Sequence, residues 1–203
     1  NNSLHALIIP SLIACCFLNA RVIEQSQLIS IVRYIYPFLV TELQLQWKLE
    51  ELDDLVTDII KFLIDQQVLI DTGKRLKRPD RNDIHFIALS HLARIAQPVL
   101  ERYYLTFVVL WESGEYPLNE QELEQRCHLV AQKISMLYGI NSPDFFDRQL
   151  FRHFIDTLFD LKFIERAEDG TLKFQQSFNR VNLDIRLLLS IEVRGTILQL
   201  LHD

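Results

Sequence analysis

The chain has 203 residues, 49% of them hydrophobic and 24% charged, with a formal net charge of −6 at pH 7. Only five Gly and six Pro leave little room for long loops, which excludes a disordered chain. The length suffices for one sizeable core or two small lobes. Three Cys, two of them adjacent at Cys15 and Cys16, make no disulfide framework and fit a reducing compartment. The sequence opens on Asn1 and its sole Met is Met136, so it reads as a piece of something larger.

The first apolar run, Leu4 to Leu18, is interrupted by His5, Pro10 and Ser11. It is shorter than the ~20 apolar residues that a bilayer requires, and no charged leader precedes it. A helix apolar on nearly all faces must be covered on all sides. It is therefore expected to pack between this chain and a neighbouring domain, with shallow membrane insertion as the second reading.

A duplication is expected beyond it. A helix is predicted from about Ser26 to Trp47, with a kink at Pro37. The next runs from about Glu50 to Gln67, apolar at Leu52, Leu55, Val56, Ile59, Ile60 and Leu63. Val68-Leu69-Ile70 and Arg75-Leu76-Lys77 read as a hairpin across Asp71-Thr72-Gly73. A long helix from about Ile84 to Trp111, bent at Pro98, closes the unit. The order then repeats, with helices from about Glu120 to Tyr138 and from Pro143 to Leu161. A hairpin of Phe163–Glu165 with Thr171–Phe174 follows, then a last helix from about Leu183 to His202. Leu63-Ile64-Asp65 before Val68-Leu69-Ile70 echoes Leu158-Phe159-Asp160 before Phe163-Ile164. The expected fold is mainly α. It comprises two helix–helix–β-hairpin units of winged-helix-like outline, about 20–112 and 118–203, each followed by a long helix, with an apolar helix at 3–19 in front.

A winged-helix outline raises nucleic-acid binding, and charge weighs against it. A DNA reader needs a positive face to displace counterions from phosphates. Residues 1–100 carry ten basic and eleven acidic residues, and the remainder eleven and sixteen. The helix that would enter a groove opens with Glu50, Glu51, Asp53, Asp54 and Asp58, acids better explained by the helix dipole. No nucleic-acid partner is expected.

One basic cluster stands against this acidity: Lys74, Arg75, Lys77, Arg78 and Arg81, on or beside the first hairpin. A solvated turn is the plain reading. The functional one is contact with an anionic bilayer surface, where each basic residue contributes roughly 1 kcal/mol. The other polar residues build no site. His85 and His91 are six apart and do not share a helical face as metal ligands at i, i+4 would. His128 adjoins Cys127, and adjacent helical side chains point apart. His153 and Asp156 could touch only as a surface pair, and Ser142 and Ser177 read as caps or turn residues. There is no Gly-rich phosphate loop. No catalytic residue, metal ligand or cofactor site is expected.

The stretch LVAQKISMLYGINSPDFFDR, from Leu129 onward, carries more information. Gly139 can end a helix in the left-handed conformation. Asn141 or Ser142 can cap the next, with Pro143 at its first position. With Pro98–Trp111 (PVLERYYLTFVVLW), Tyr36–Trp47 (YPFLVTELQLQW) and the opening Asn1–Ala14 (NNSLHALIIPSLIA), it resembles the C-terminal part of the bacterial membrane glycerol-3-phosphate acyltransferase family. The likeness extends over nearly the whole chain and is weakest around Arg75–Asp83 and after Lys173. The family's acyl-transfer signature is His, four residues, then Asp, the His acting as general base. Five residues after His5, His85, His91, His128 and His153 stand Pro10, Ser90, Ala96, Lys133 and Leu158, and His202 is next to last.

The resemblance therefore implies a non-catalytic C-terminal region of an enzyme that acylates sn-glycerol 3-phosphate. Acyl carrier protein or coenzyme A would be the donor, as co-substrate and not as a bound cofactor. It implies docking on the enzyme's own N-terminal catalytic domain, for which Leu4, Ile8, Leu12 and Phe17 offer one side of the first helix. It also implies peripheral association with the cytoplasmic face of the bacterial inner membrane, with acidic acyl carrier protein as a further partner for the basic cluster. The alternative is an independent helical protein-interaction module without enzymatic activity.

Overall fold

The computed structural model describes residues 2–115, 117–138, 147–174, 188–189 and 191–202. It is mainly helical, with two small antiparallel sheets. The chain divides into two compact units, Asn1–Gln97 with Leu187–Leu189, and Pro98–Arg186 with Ser190–Asp203. The first of these units ends its main run at Gln97 and the second begins at Pro98. The apolar first helix is part of the first unit and does not precede it.

That first unit forms around α1 (Asn2–Asn19), whose residues from Ile8 to Phe17 are all buried. Such a helix has no side to show to water. It is covered by α2 (Gln25–Leu43), α3 (Leu52–Asp65) and α4 (Ile84–Ala93). Pro10 sits inside α1 without ending it. The buried Ser11 hydroxyl accepts the Ala96 N–H at 2.7 Å and donates to the Ala93 carbonyl at 3.2 Å. The Cys15 thiol donates to the same carbonyl at 3.3 Å. The last carbonyls of a helix have no partner within it, and α1 supplies partners at the end of α4.

The expected hairpin is the inner part of a three-stranded sheet. Strands β1 (Val22–Glu24), β2 (Ile70–Asp71) and β3 (Arg75–Lys77) lie in the order β1–β3–β2, all antiparallel. Ile23 faces Leu76 across the ladder, and both are buried. Gly73 takes φ 94° at the tip, a conformation that favours glycine. Helix α2 stops at Gln44, which is left-handed at φ 51°, four residues before the expected end. The apolar spacing read on α3 holds, for Leu52, Val56, Ile60 and Leu63 are its buried residues. The expected long helix over 84–111 is two helices, α4 and α5 (Gln97–Glu112), with Pro98 in the first turn of the second.

The second unit contains α5, α6 (Glu120–Tyr138), α7 (Arg148–Asp160), β4 (Ile164–Arg166), β5 (Leu172–Phe174) and α8 (Ile191–His202). A capping box opens α6. Asn119 Oδ1 accepts the Glu122 N–H at 3.0 Å, and Glu122 Oε2 accepts the Asn119 N–H at 2.9 Å. Phe154 of α7 stacks on Tyr103 of α5 at 4.0 Å between ring centroids and meets Phe107 edge-on at 5.6 Å. The predicted stop and start at Gly139, Asn141, Ser142 and Pro143 lie outside the described residues, as do Ser177 and residues 183–187 of the predicted last helix. Helix α7 is described from Arg148, capped by Asp147, whose carboxylate accepts the Gln149 N–H at 2.8 Å.

The two units share local detail at a separation of 95 residues. After α3, Gln67 is left-handed at φ 58°, its N–H bonds to the Ile64 carbonyl, and the Val68 N–H bonds to Leu63. After α7, Lys162 takes the same φ of 58°, its N–H bonds to Phe159, and the Phe163 N–H bonds to Leu158. The short sequence echo thus marks one and the same helix-to-strand turn, made twice. In the second unit Leu118 occupies the place of β1, its carbonyl accepting the Leu172 N–H at 2.8 Å.

If α1 is the enclosed centre of its unit, Leu12→Ala removes methyl groups at 0% exposure and should destabilise by about 2–5 kcal/mol. Leu7→Ala, at 41% exposure, should stay within roughly 0.5 kcal/mol of wild type. Urea midpoints compare the two, and equal small losses would place α1 outside the core.

Candidate functional site

All three cysteines of the chain are buried. Burial pushes the Cys16 and Cys127 thiols up to about 12, so neither is a thiolate nucleophile at neutral pH. No group of three or more His, Cys, Asp or Glu could hold a metal ion among the described residues. His153 and Asp156 are both exposed, and no hydrogen bond or ion pair joins them among the described residues. An open pocket of about 260 Å³ lies between Leu118 and the α6 residues Glu122, Gln125, Arg126 and Leu129. Glu122 is already committed there to the helix cap.

The five basic residues predicted at the first hairpin gather on β3 and the segment leading to α4. Lys74, Arg75 and Arg81 are exposed, and Lys77 and Arg78 are half-buried. Arg75 reaches Glu24 of β1 at 3.5 Å. The Arg78 guanidinium lies over the Phe86 ring, 4.9 Å from its centroid. Burial, together with the nearby positive charges of Arg81 and Arg21, pushes the Arg78 pKa down. Asp80 acts in the opposite direction. The neighbouring acids are engaged: Asp80 pairs with Arg21 at 2.9 Å, Asp71 accepts the Gly73 N–H, and Asp83 caps α4 through the His85 N–H. No carboxylate pairs with Lys74, Lys77 or Arg81 among the described residues.

Three of the four residues read as a docking side of the first helix are covered by this chain itself. Ile8, Leu12 and Phe17 are 1%, 0% and 0% exposed, buried within this chain itself, and the Leu4 side chain lies outside the described set. A helix that is apolar all round gives no sequence signal for which side faces outward.

Three features were missed by sequence reasoning. One is the outward face of α4, where Ile84 is 73% and Ile87 52% exposed. The second is Glu124 of α6, 4% exposed, which accepts the Arg148 Nε–H on Oε1 and the Arg152 Nε–H on Oε2, both at 2.9 Å. Burial opposes its charge, but the two arginine hydrogen bonds outweigh burial and hold its carboxyl below the usual range. The i, i+4 spacing of Arg148 and Arg152 was a signal that could have found it. The third is Glu101 of α5, whose carboxyl burial pushes up to about 7. Nothing in the local sequence distinguishes it.

Comparison with known proteins assigns this mainly helical chain to a class. A family described as "Glycerol-3-phosphate acyltransferase C-terminal region" matches residues 1–167, and the chain belongs to that family. Among particular relatives, the glycerol-3-phosphate acyltransferase of Pseudomonas aeruginosa (strain LESB58) is 37% identical over 176 residues, which is 87% of this chain. Those of Pseudomonas fluorescens (strain Pf0-1) and Pseudomonas syringae pv. tomato are each 36% identical, over 87% and 86% of it. The chain spans only about a fifth, 21%, of each of these relatives.

Glu101 and Glu124 give opposite pH dependences. The raised pKa of Glu101 means that folding favours its protonated form. Its contribution is intact below about 4.5, the ordinary value, and is lost as pH rises through about 7. The depressed pKa of Glu124 works the other way, its contribution being lost as pH falls through the carboxylate range. Glu101→Gln should therefore raise the urea midpoint at about pH 8, by up to roughly 3 kcal/mol in stability, and leave it nearly unchanged at about pH 4.5. Wild-type and variant midpoints that stay parallel across this range would show that Glu101 is not held protonated by the fold.

Proposed function

We propose that this chain is the non-catalytic C-terminal region of a glycerol-3-phosphate 1-O-acyltransferase whose catalytic domain lies outside the sequence. The family match over residues 1–167 carries this reading, together with relatives of which the chain spans only 21%. In the whole enzyme, the 1-hydroxyl of sn-glycerol 3-phosphate attacks the thioester of acyl carrier protein or acyl-coenzyme A. The thiol leaves, and lysophosphatidic acid, the first intermediate of phospholipid synthesis, is formed. A base to take the hydroxyl proton and donors to hold the oxyanion are needed. In this sequence no His is followed five residues later by Asp.

The region serves as a support for that catalytic domain. Its first unit is winged-helix-like, running α1–β1–α2–α3–β2–β3 with the third strand between the other two. It acts as a scaffold and not as a nucleic-acid reader, since α3 opens with Asp53 and Asp54 and Asp53 is tied to Arg33 at 2.7 Å. The parent works peripherally at the cytoplasmic face of the bacterial inner membrane. There the basic hairpin meets anionic lipid, and acidic acyl carrier protein is a second partner of suitable charge.

Purified alone, the chain should form no lysophosphatidate from glycerol 3-phosphate and palmitoyl-coenzyme A above a boiled control. The full-length protein should form it readily, through a His-x4-Asp block encoded in the same reading frame. Turnover by the isolated chain, or a reading frame without that block, would remove the basis of the proposal.

The electrostatic contact makes a separate prediction. Attraction between the hairpin and lipid phosphates is screened over about 8–10 Å at physiological salt. Binding of the full-length protein to phosphatidylglycerol vesicles should fall steeply from low to moderate salt. Replacing Lys74, Arg75, Lys77, Arg78 and Arg81 by Gln should flatten that dependence with little change in melting temperature. Equal binding by native and neutralised proteins would return the cluster to a solvated turn.

A further inference from the structure

Helix α4, Ile84-His85-Phe86-Ile87-Ala88-Leu89-Ser90-His91-Leu92-Ala93, contains no Asp, Glu, Lys or Arg, so it carries no charged face to turn toward water. It nevertheless has one side in and one side out. Leu89 and Ala93 are buried toward the core, whereas Ile84, Ile87, Ala88 and His91 are exposed. At 100° per residue those four positions fall within an arc of about 100°, opposite the buried pair. A monomeric surface helix normally places polar residues there. Here two isoleucines stand outward, at 73% and 52% exposure.

The surroundings of this face select what could cover it. Arg81 stands exposed just before the helix, and Arg94 stands exposed just after it. Lys74, Lys77 and Arg78 lie on the strand and linker that lead into it, Arg78 against the α4 residue Phe86. The acids of the neighbourhood, Glu24, Asp71, Asp80 and Asp83, are each held by a local donor, Glu24 by Arg75. The apolar stripe is bordered by Lys74, Lys77, Arg81 and Arg94, for none of which a carboxylate partner stands among the described residues. It matches a lipid surface, where acyl chains take the apolar side chains and headgroup phosphates take the cations. Ten residues span only about 15 Å, so the helix can lie in the interface but cannot cross it.

We propose that α4 is an interfacial helix that lays Ile84, Ile87 and Ala88 into an anionic lipid surface, with the basic hairpin and Arg94 at its rim. This rests on the membrane-contact reading of the hairpin and deepens it, adding apolar insertion to electrostatic attraction. The two components answer to different measurements.

The test uses the full-length protein with an environment-sensitive NBD label at Ile87→Cys, other accessible cysteines having been replaced. Cys15, Cys16 and Cys127 are buried and need no change. A second label at Glu168→Cys, exposed in the other unit's hairpin, is the control. On vesicles of phosphatidylglycerol and phosphatidylethanolamine, the probe at 87 should shift to the blue and be quenched by brominated acyl chains, and the probe at 168 should do neither. Vesicles of phosphatidylcholine should leave both unchanged. Ile84→Gln with Ile87→Gln should lower vesicle partitioning about tenfold while keeping the salt dependence, since only part of each isoleucine's transfer energy is lost. Salt-dependent binding with the 87 probe still in water would refute insertion and leave the electrostatic contact standing. A probe at 87 already blue-shifted without lipid would show that protein covers the face, overturning the proposal. Absence of vesicle binding would sink both readings together.

Discussion

The need to enclose α1 determines how the first unit is built. Between Ile8 and Phe17 every residue is buried, so no side of that helix is available to solvent and three other helices must close around it. The cost of enclosure is polar, because helix ends brought against an apolar rod lose water from their free carbonyls and amides. Ser11 and Cys15 meet this locally by bonding the Ala93 carbonyl and the Ala96 N–H. A hydroxyl in the middle of an apolar helix is thus a fitted partner for the end of α4. That anchoring has an outward consequence. With its last turn pinned to α1 and Leu89 and Ala93 turned inward, α4 has no rotation left by which to hide Ile84 and Ile87.

The two units reach one local design through different electrostatics. Both join a penultimate helix to a strand through a left-handed residue, Gln67 or Lys162, with the same pair of backbone hydrogen bonds. Both also tie the start of the next helix to its predecessor by an ion pair, but the signs are exchanged. In the first unit Arg33 of α2 holds Asp53 of α3, both about half exposed, where such pairs contribute little. In the second, Glu124 of α6 is enclosed and holds Arg148 and Arg152 of α7. Removing one partner of a buried, hydrogen-bonded charge leaves the other uncompensated, so this pair constrains how α6 and α7 pack far more than its counterpart constrains α2 and α3.

What the sequence disclosed depended on whether each signal was local and directional. Helix α3 was legible because Leu52, Val56, Ile60 and Leu63 recur at helical spacing between charged residues. The hairpin turn was legible from Asp71-Thr72-Gly73, which uses the positive φ that Gly73 adopts. Strand β1 was not, since its three residues carry no alternation and its partner β3 lies about fifty residues away. The end of α2 at Gln44 hangs on a left-handed non-glycine residue, which no turn signal announces. Helices α1 and α4 were visible as helices but not as oriented objects. Where nearly every position is apolar, periodicity carries no direction, so Leu4, Ile8, Leu12 and Phe17 were assigned outward although the described three face the core. The same blindness hid the outward face of α4, while the basic residues beside it were plain because charge needs no orientation to be read.

Among the described residues, the thiols and the perturbed carboxyls are governed by burial and by local hydrogen bonds. A nucleophilic thiol needs partial exposure and a positive environment, and all three cysteines have neither, two of them being held protonated by burial. The perturbed carboxyls are spent on structure: Glu124 stabilises a helix pair, and Glu101 is raised by burial alone, with no base or metal beside it among the described residues. What the surface does concentrate lies within one short stretch: five cations from Lys74 to Arg81, of which Lys74, Lys77 and Arg81 have no carboxylate partner among the described residues, and then the exposed isoleucines Ile84 and Ile87. Either alone is ordinary on a soluble domain. Their adjacency means that any surface which neutralises the first group is brought against the second, and a bilayer with anionic headgroups meets both needs at the same depth.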